Sequence, residues 1–226
     1  MSESVSVASV IVQVIRLAAG ARATTVIVWL TLTIPYLLAD LMFEPELIML
    51  AYLVLGLISL YLQLLLTSAA LSCALPDYKF DPQKPTRGRF PSIFLLSLIS
   101  LLAVAAGLLL LVVPGLILLA RWSVSAPILL AEDLSVMDSL RRSWELTRPH
   151  WKQALIIALL CLALFVPAIF ASLQYPDFGS PSLGLALATN GLFATASVLG
   201  WLLVTALYVL IIPAASPEGR SALAQA

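Results

Sequence analysis

Apolar residues run along most of this chain in stretches long enough to cross a bilayer, and polar residues gather between them. Crossing the hydrocarbon core of a bilayer takes about 20 apolar residues in a helix. Residues 24–43 meet that length, with Pro35 inside and Trp29 and Tyr36 among the aromatics. Residues 46–73 are longer and predict a tilted or protruding helix. The following stretch, 74–91, holds Pro76, Pro82, Pro85 and Pro91 among charged residues and reads as a solvated loop. About forty mostly apolar residues, 92–131, would make roughly 60 Å of helix, too long for one straight span. Pro114-Gly115 near the middle predicts a turn and a tight hairpin with arms 92–113 and 116–131. Residues 153–173 form a further span containing Pro167. In the run 183–212, Asn190-Gly191 predicts a break, with a short surface segment before it and a final span at 192–212. Residues 213–226 read as a frayed tail.

Two segments carry helical periodicity with a polar face. In residues 1–22, Ser9, Gln13, Arg16 and Gly20 draw one polar stripe, opposite Val7, Ile11, Val14, Ile15 and Ala18. The stripe interrupts what would otherwise resemble a secretory leader, and it predicts an amphipathic helix lying in the membrane interface. Residues 135–148 predict a second one. Ser135 and Asp138 have capping-box spacing. Met137, Leu140 and Trp144 line one face, with Val136 and Thr147 beside it, and Asp138, Arg141, Arg142, Glu145 and Arg148 occupy the other. Pro149 predicts a kink before the next span. Each amphipathic helix is followed by a proline-containing span, with Pro35 nineteen residues after Arg16 and Pro167 nineteen after Arg148. Duplication and ordinary membrane grammar would both give that echo.

Composition settles the solvent. Of 226 residues, 62% are hydrophobic and 11% charged, with a mean hydropathy of +1.06. So little polar material cannot cover a water-facing surface. The fold class expected is all-α: a membrane bundle of six transmembrane helices over 23–212, plus two cytoplasmic interfacial amphipathic helices. Charge sets its orientation. With both termini in the cytoplasm, Arg16, Arg22, Lys79, Lys84, Arg87, Arg89, Arg141, Arg142, Arg148, Lys152 and Arg220 fall inside. The outer connections carry Asp40, Glu44, Glu46 and Asp177 and no basic residue, as the positive-inside rule requires. A net charge of zero argues against a nucleic-acid partner.

Candidate chemistry is sparse. Cys73 and Cys161 read as buried small hydrophobes, and the single His150 excludes any site built from several histidines. No cofactor, metal site or catalytic constellation is predicted. Arg121 is the one charge inside a span, a functional candidate by default. Its expected role is structural, snorkelling outward or pairing with Asp40, Glu44 or Glu46 at the outer ends of the first two spans. Glu132 lies about 16 Å further along the helix axis, too far to pair with it. Arg141, Arg142, Arg148, Trp144, Trp151 and Lys152 are the candidate contacts with anionic lipid headgroups at the cytoplasmic face, or with a membrane or cytoplasmic protein partner.

The segment from Pro114 and Gly115 through Arg121, Ala126, Pro127, Glu132, Leu140, Arg141, Arg142, Ser143, Trp144, Leu146, Thr147 and Trp151 resembles the membrane domain found beside glycerophosphoryl diester phosphodiesterases and the related YciC-like envelope proteins. Pro149 and His150 depart from that pattern. The resemblance implies a bacterial cytoplasmic membrane protein associated with envelope integrity. It implies the membrane part alone, since one histidine and no long soluble segment leave no room for the hydrolase. The functions expected are therefore a non-catalytic scaffold or envelope-homeostasis factor, or a small transporter or lipid-handling protein with a cavity near Arg121.

Overall fold

The computed structural model describes residues 5–42, 45–75, 78, 84–175 and 181–215, with side chains described for all of these except 45–46, 84–88 and 213–215. The described residues are helical with no strand. In chain order the helices are α1 (Val7–Gly20), α2 (Arg22–Met42), α3 (Pro45–Ala74), α4 (Lys84–Leu110), α5 (Val112–Trp122), α6 (Ser125–Ala131), α7 (Val136–Thr147), α8 (Trp151–Ser172) and α9 (Leu183–Ala215). Six segments are long and apolar enough to cross a membrane: 22–42, 47–74, 89–110, 112–131, 151–172 and 183–212. Large apolar side chains point outward along all of them, Leu109 at 87% exposure and Ile27, Leu53, Leu101 and Phe170 among the rest. A water-soluble monomer does not carry that much exposed apolar surface. The chain is a multi-pass membrane protein.

The breaks between helices depart from the sequence pattern, each for a local reason. The hairpin turns at Leu111 and not at Pro114-Gly115. Pro114 falls in the first turn of α5, where its missing N–H costs nothing. Gly115 packs on the α4 backbone so closely that a Cβ there would lie 2.6 Å from the Leu108 nitrogen. Further along, the fourth candidate span is interrupted between α5 and α6. Pro127 has no N–H for the Ser123 carbonyl, and the Ser123 and Ser125 hydroxyls satisfy the Ala120 and Trp122 carbonyls instead.

Two expected non-helical stretches are helical. Residues 84–91, assigned to the loop 74–91, form the first turns of α4. The expected break at Asn190-Gly191 is absent, because α9 runs unbroken through it for 33 residues. Asn190 stays helical by donating to the Ala186 carbonyl at 2.9 Å and to the Asp40 carboxylate at 2.7 Å. Its amide is satisfied where a turn would otherwise have satisfied it.

α9 is the central post, packed against α8, α2, α1 and α3. Ala186, Ala194, Ala196 and Ala206 along it are buried, which lets neighbouring backbones approach. α1 packs on the bundle through Val10, Val14 and Leu17, rotated from the expected apolar face, and leaves Ile11 and Ile15 exposed.

Candidate functional site

Polar side chains collect at two places in the bundle. Asn190 and Tyr208 mark them on α9, eighteen residues apart, or about 27 Å along the helix axis.

At the first, Asp40 near the end of α2 is 3% exposed. Its carboxylate accepts hydrogen bonds from the Tyr52 hydroxyl of α3, from the Tyr175 hydroxyl just beyond α8 at 2.7 Å, and from Asn190 Nδ2 of α9 at 2.7 Å. Burial, and then the hydrogen bond to the Asp40 carboxylate, push the Tyr175 phenol up to about 12. Tyr36 packs beside the cluster, its ring 5.4 Å from Tyr52 and 5.9 Å from Phe193. Four elements thus meet on one carboxylate.

The second is built around α7. Its buried stripe is Val136, Ser139, Leu140, Ser143, Leu146 and Thr147, whereas Met137 is 67% exposed and Trp144 40%. Of the expected apolar face, Val136, Leu140 and Thr147 are buried, while Met137 and Trp144 are turned outward. Small hydroxyl residues win the inner face because they satisfy themselves while allowing close approach. Ser139 donates to the Ser135 carbonyl, Thr147 to that of Ser143, and Ser143 to the Arg121 carbonyl at 2.7 Å. Ser135 caps the helix by accepting from the Asp138 N–H, but Asp138 returns the favour by accepting from the Ser135 hydroxyl instead of closing a full capping box.

The charges around α7 sort themselves into pairs. Arg142 Nε lies 3.2 Å from Glu132, which also accepts from the Tyr208 hydroxyl of α9 at 3.3 Å. Arg89 of α4 donates to the Leu129 and Leu130 carbonyls and pairs with Asp133 at 2.6 Å. That arginine closes the C-terminal end of α6, where Asp133 takes a left-handed φ of 53°. Arg141 makes only an outlying contact with Glu145, 4.0 Å between exposed side chains.

Arg121 is different. The Ser143 bond to its carbonyl places it beside α7, away from the Asp40 cluster, so the expected pairing with Asp40 does not form. Glu44 lies outside the described residues, and the Glu46 side chain is not described. The Arg121 guanidinium rests on the Trp144 ring, 5.2 Å from its centroid. Its Nη1 is buried and hydrogen-bonds to none of the described residues.

Of the six expected surface contacts, Arg142 is spent on Glu132 and Trp144 covers Arg121. Arg141, Arg148, Trp151 and Lys152 are exposed, with the Lys152 ammonium 5.8 Å over the Trp151 ring. The sequence pattern missed Arg89, Asp133, Tyr208 and Tyr175 as members of these clusters, and no signal in it joins residues so far apart. The hydroxyl spacing Ser139-Ser143-Thr147 was a signal available in the sequence. Among the described residues no group of three His, Cys, Asp or Glu side chains could hold a metal ion. An apolar groove of about 250 Å³, lined by Thr25, Val26, Trp29, Thr195, Val198 and Leu199, opens between α2 and α9 and not at Arg121. No family model, curated protein or solved structure matches this chain.

Proposed function

We propose that this chain is a non-catalytic protein of the bacterial cytoplasmic membrane, a scaffold or envelope-homeostasis factor that engages lipids or partner proteins through α7. One observation carries the reading: α7 docks through Val136, Leu140 and Leu146 interleaved with the hydroxyls of Ser139, Ser143 and Thr147, while Met137, Arg141, Trp144, Arg148, Trp151 and Lys152 remain outward. A helix needed only to fill the bundle would bury its tryptophan and expose its serines. In this reading the basic residues face the cytoplasm, both termini are inside, and α1 and α7 lie at the inner interface. The likeness to the membrane domain of the phosphodiesterase-associated and YciC-like families fits that role.

The interior also supports a scaffold over a conduit. Thr33, Thr189, Ser197 and Thr205 each return their hydroxyl to a carbonyl four residues earlier in their own helix. Hydroxyls returned to their own helices in this way give a passage little to attract a polar solute. The test is extraction in native-membrane polymer particles, followed by analysis of co-purifying lipids and proteins. Enrichment of anionic phospholipid, or a stoichiometric partner, is expected. Bulk lipid composition without a partner overturns the proposal.

A second reading, lipid handling, rests on the groove between α2 and α9, where Trp29 Nε1 donates to Thr195 Oγ1 at 3.0 Å and the walls suit an acyl chain. Its test is movement of a labelled phospholipid between leaflets of proteoliposomes. Transfer no faster than in empty vesicles excludes it.

A further inference from the structure

Every other described basic side chain near α7 that is not fully exposed has an acidic partner: Arg89 has Asp133, and Arg142 has Glu132. Arg121 has none among the described residues. It sits in an apolar candidate span, and its Nη1 is buried without an acceptor among the described residues. An uncompensated cation so placed is costly. The face of Trp144 relieves part of that cost, since a guanidinium stacks well on an indole ring, but it supplies no hydrogen-bond acceptor. None of the described residues accepts a hydrogen bond from the guanidinium, so its donors remain available to an acceptor from outside the protein.

What lies outward at that point is basic and aromatic. Trp144 is 40% exposed, and Arg148, four residues on, lies one turn further along the same face of α7. Arg148 is exposed and has no ion pair among the described residues, and the exposed Trp151 and Lys152 follow it. The acids nearby are committed: Glu132 holds Arg142, and Glu145 lies toward Arg141. An anion with several oxygens would answer both free arginines at once.

We infer that Arg121, Trp144 and Arg148 form a site for the phosphodiester of an anionic phospholipid, with Arg121 and Arg148 on its oxygens and Trp144 as the wall between them. The inference rests on the reading of α7 as the lipid-engaging helix and names the headgroup chemistry and the residues. The choice of lipid over free phosphate follows from the surroundings. Apolar side chains, Met137 on α7 and Ile117 on α5, are exposed nearby and would meet acyl chains, not water.

The test is native mass spectrometry of the full chain, released from micelles carrying equal phosphatidylglycerol and phosphatidylcholine. The wild type is expected to retain phosphatidylglycerol preferentially. Arg121→Gln and Arg148→Gln should each cut that preference roughly fivefold, the weight of one basic residue at an anionic surface. Arg22→Gln, an exposed basic position on α2 outside the α7 face, should leave it within about twofold. Should Arg121→Gln fail to fold, Arg148→Gln, a surface change, decides alone. Unchanged preference in Arg148→Gln overturns the site, even if anionic lipid still co-purifies from native membranes and the broader reading stands. Equal retention of both lipids by the wild type overturns the site and the lipid-engaging reading together. Thermal stabilisation by inorganic phosphate as large as that by phosphatidylglycerol overturns the assignment to lipid.

Discussion

Replacing Asp40 by alanine tests whether the carboxylate at the end of α2 ties the bundle together. The substitution removes the acceptor of three hydrogen bonds, from Tyr52, Tyr175 and Asn190. Hydrogen bonds to a charged group contribute about 1.5–3 kcal/mol each. Three would sum to far more than is expected here, for two reasons. Asn190 keeps its bond to Ala186, and the two tyrosines are partly exposed and can find other partners. Measured hydrogen bonds between membrane helices also average only about 0.6 kcal/mol. The loss should therefore be about 2–4 kcal/mol, between three average membrane bonds and three charge-assisted ones. Asp40→Asn keeps the shape but turns one acceptor into a donor facing other donors, and should cost about half as much. The assay is reversible unfolding from mild detergent by sodium dodecyl sulfate, followed by tryptophan fluorescence. A cycle of Asp40→Ala with Asn190→Ala should show coupling above about 0.5 kcal/mol. If Asp40→Ala unfolds within about 0.5 kcal/mol of the wild type, the carboxylate does not hold these four elements together.

The same cluster predicts a pH dependence. The Tyr175 phenol is pushed up to about 12 from an ordinary 10.0, so the folded state holds its proton more tightly than the unfolded chain. Its contribution is complete below pH 10.0 and is lost as pH rises toward 12, and Tyr175→Phe should remove that part of the alkaline decline in stability. Gly115→Ala should cost about 1–3 kcal/mol by overpacking, because its Cβ would sit 2.5 Å from Leu108 Cγ. Gly56→Ala, with nothing within 4 Å, should be neutral or stabilising in the same detergent-unfolding assay. Arg89→Ala should destabilise by about 2 kcal/mol and speed hydrogen exchange in α6, since it strips two carbonyls of their donor. Asp133→Ala should cost under about 1 kcal/mol, its carboxylate being 83% exposed. A larger effect from Asp133 would reverse that ranking. Ser143→Leu should undock α7, seen as proteolysis within 136–147, while Met137→Ala should leave the helix protected.

The two sides of α7 show why some of the structure was legible and some was not. Its bounds followed from local chemistry: Ser135 offers a cap and Pro149 ends the helix, wherever the rest of the chain lies. Which residues turn inward followed only in part: Val136, Leu140 and Thr147 are buried as the periodicity predicts, and Met137 and Trp144 are not. In water the bulky apolar side would be buried, but beside lipid there is little to gain by hiding Met137 and Trp144, and close packing of Ser139, Ser143 and Thr147 decides. The Asn190-Gly191 pair makes the same point. Its turn propensity is a local preference, overridden by a partner 150 residues away.

By itself the sequence determined that this protein lives in a membrane and crosses it by helices, because hydropathy and length act within each segment and need no neighbour. Its six candidate spans agree with the helices to within a few residues, apart from the last, which begins at Leu183 and not at 192. Only the tertiary structure decided where the charges go: Arg142 to Glu132, Arg89 to the end of α6, Asp40 to two tyrosines and an asparagine, and Arg121 to the face of Trp144. A charge among apolar helices must take the partner that packing brings within reach, and packing is set by all the helices together.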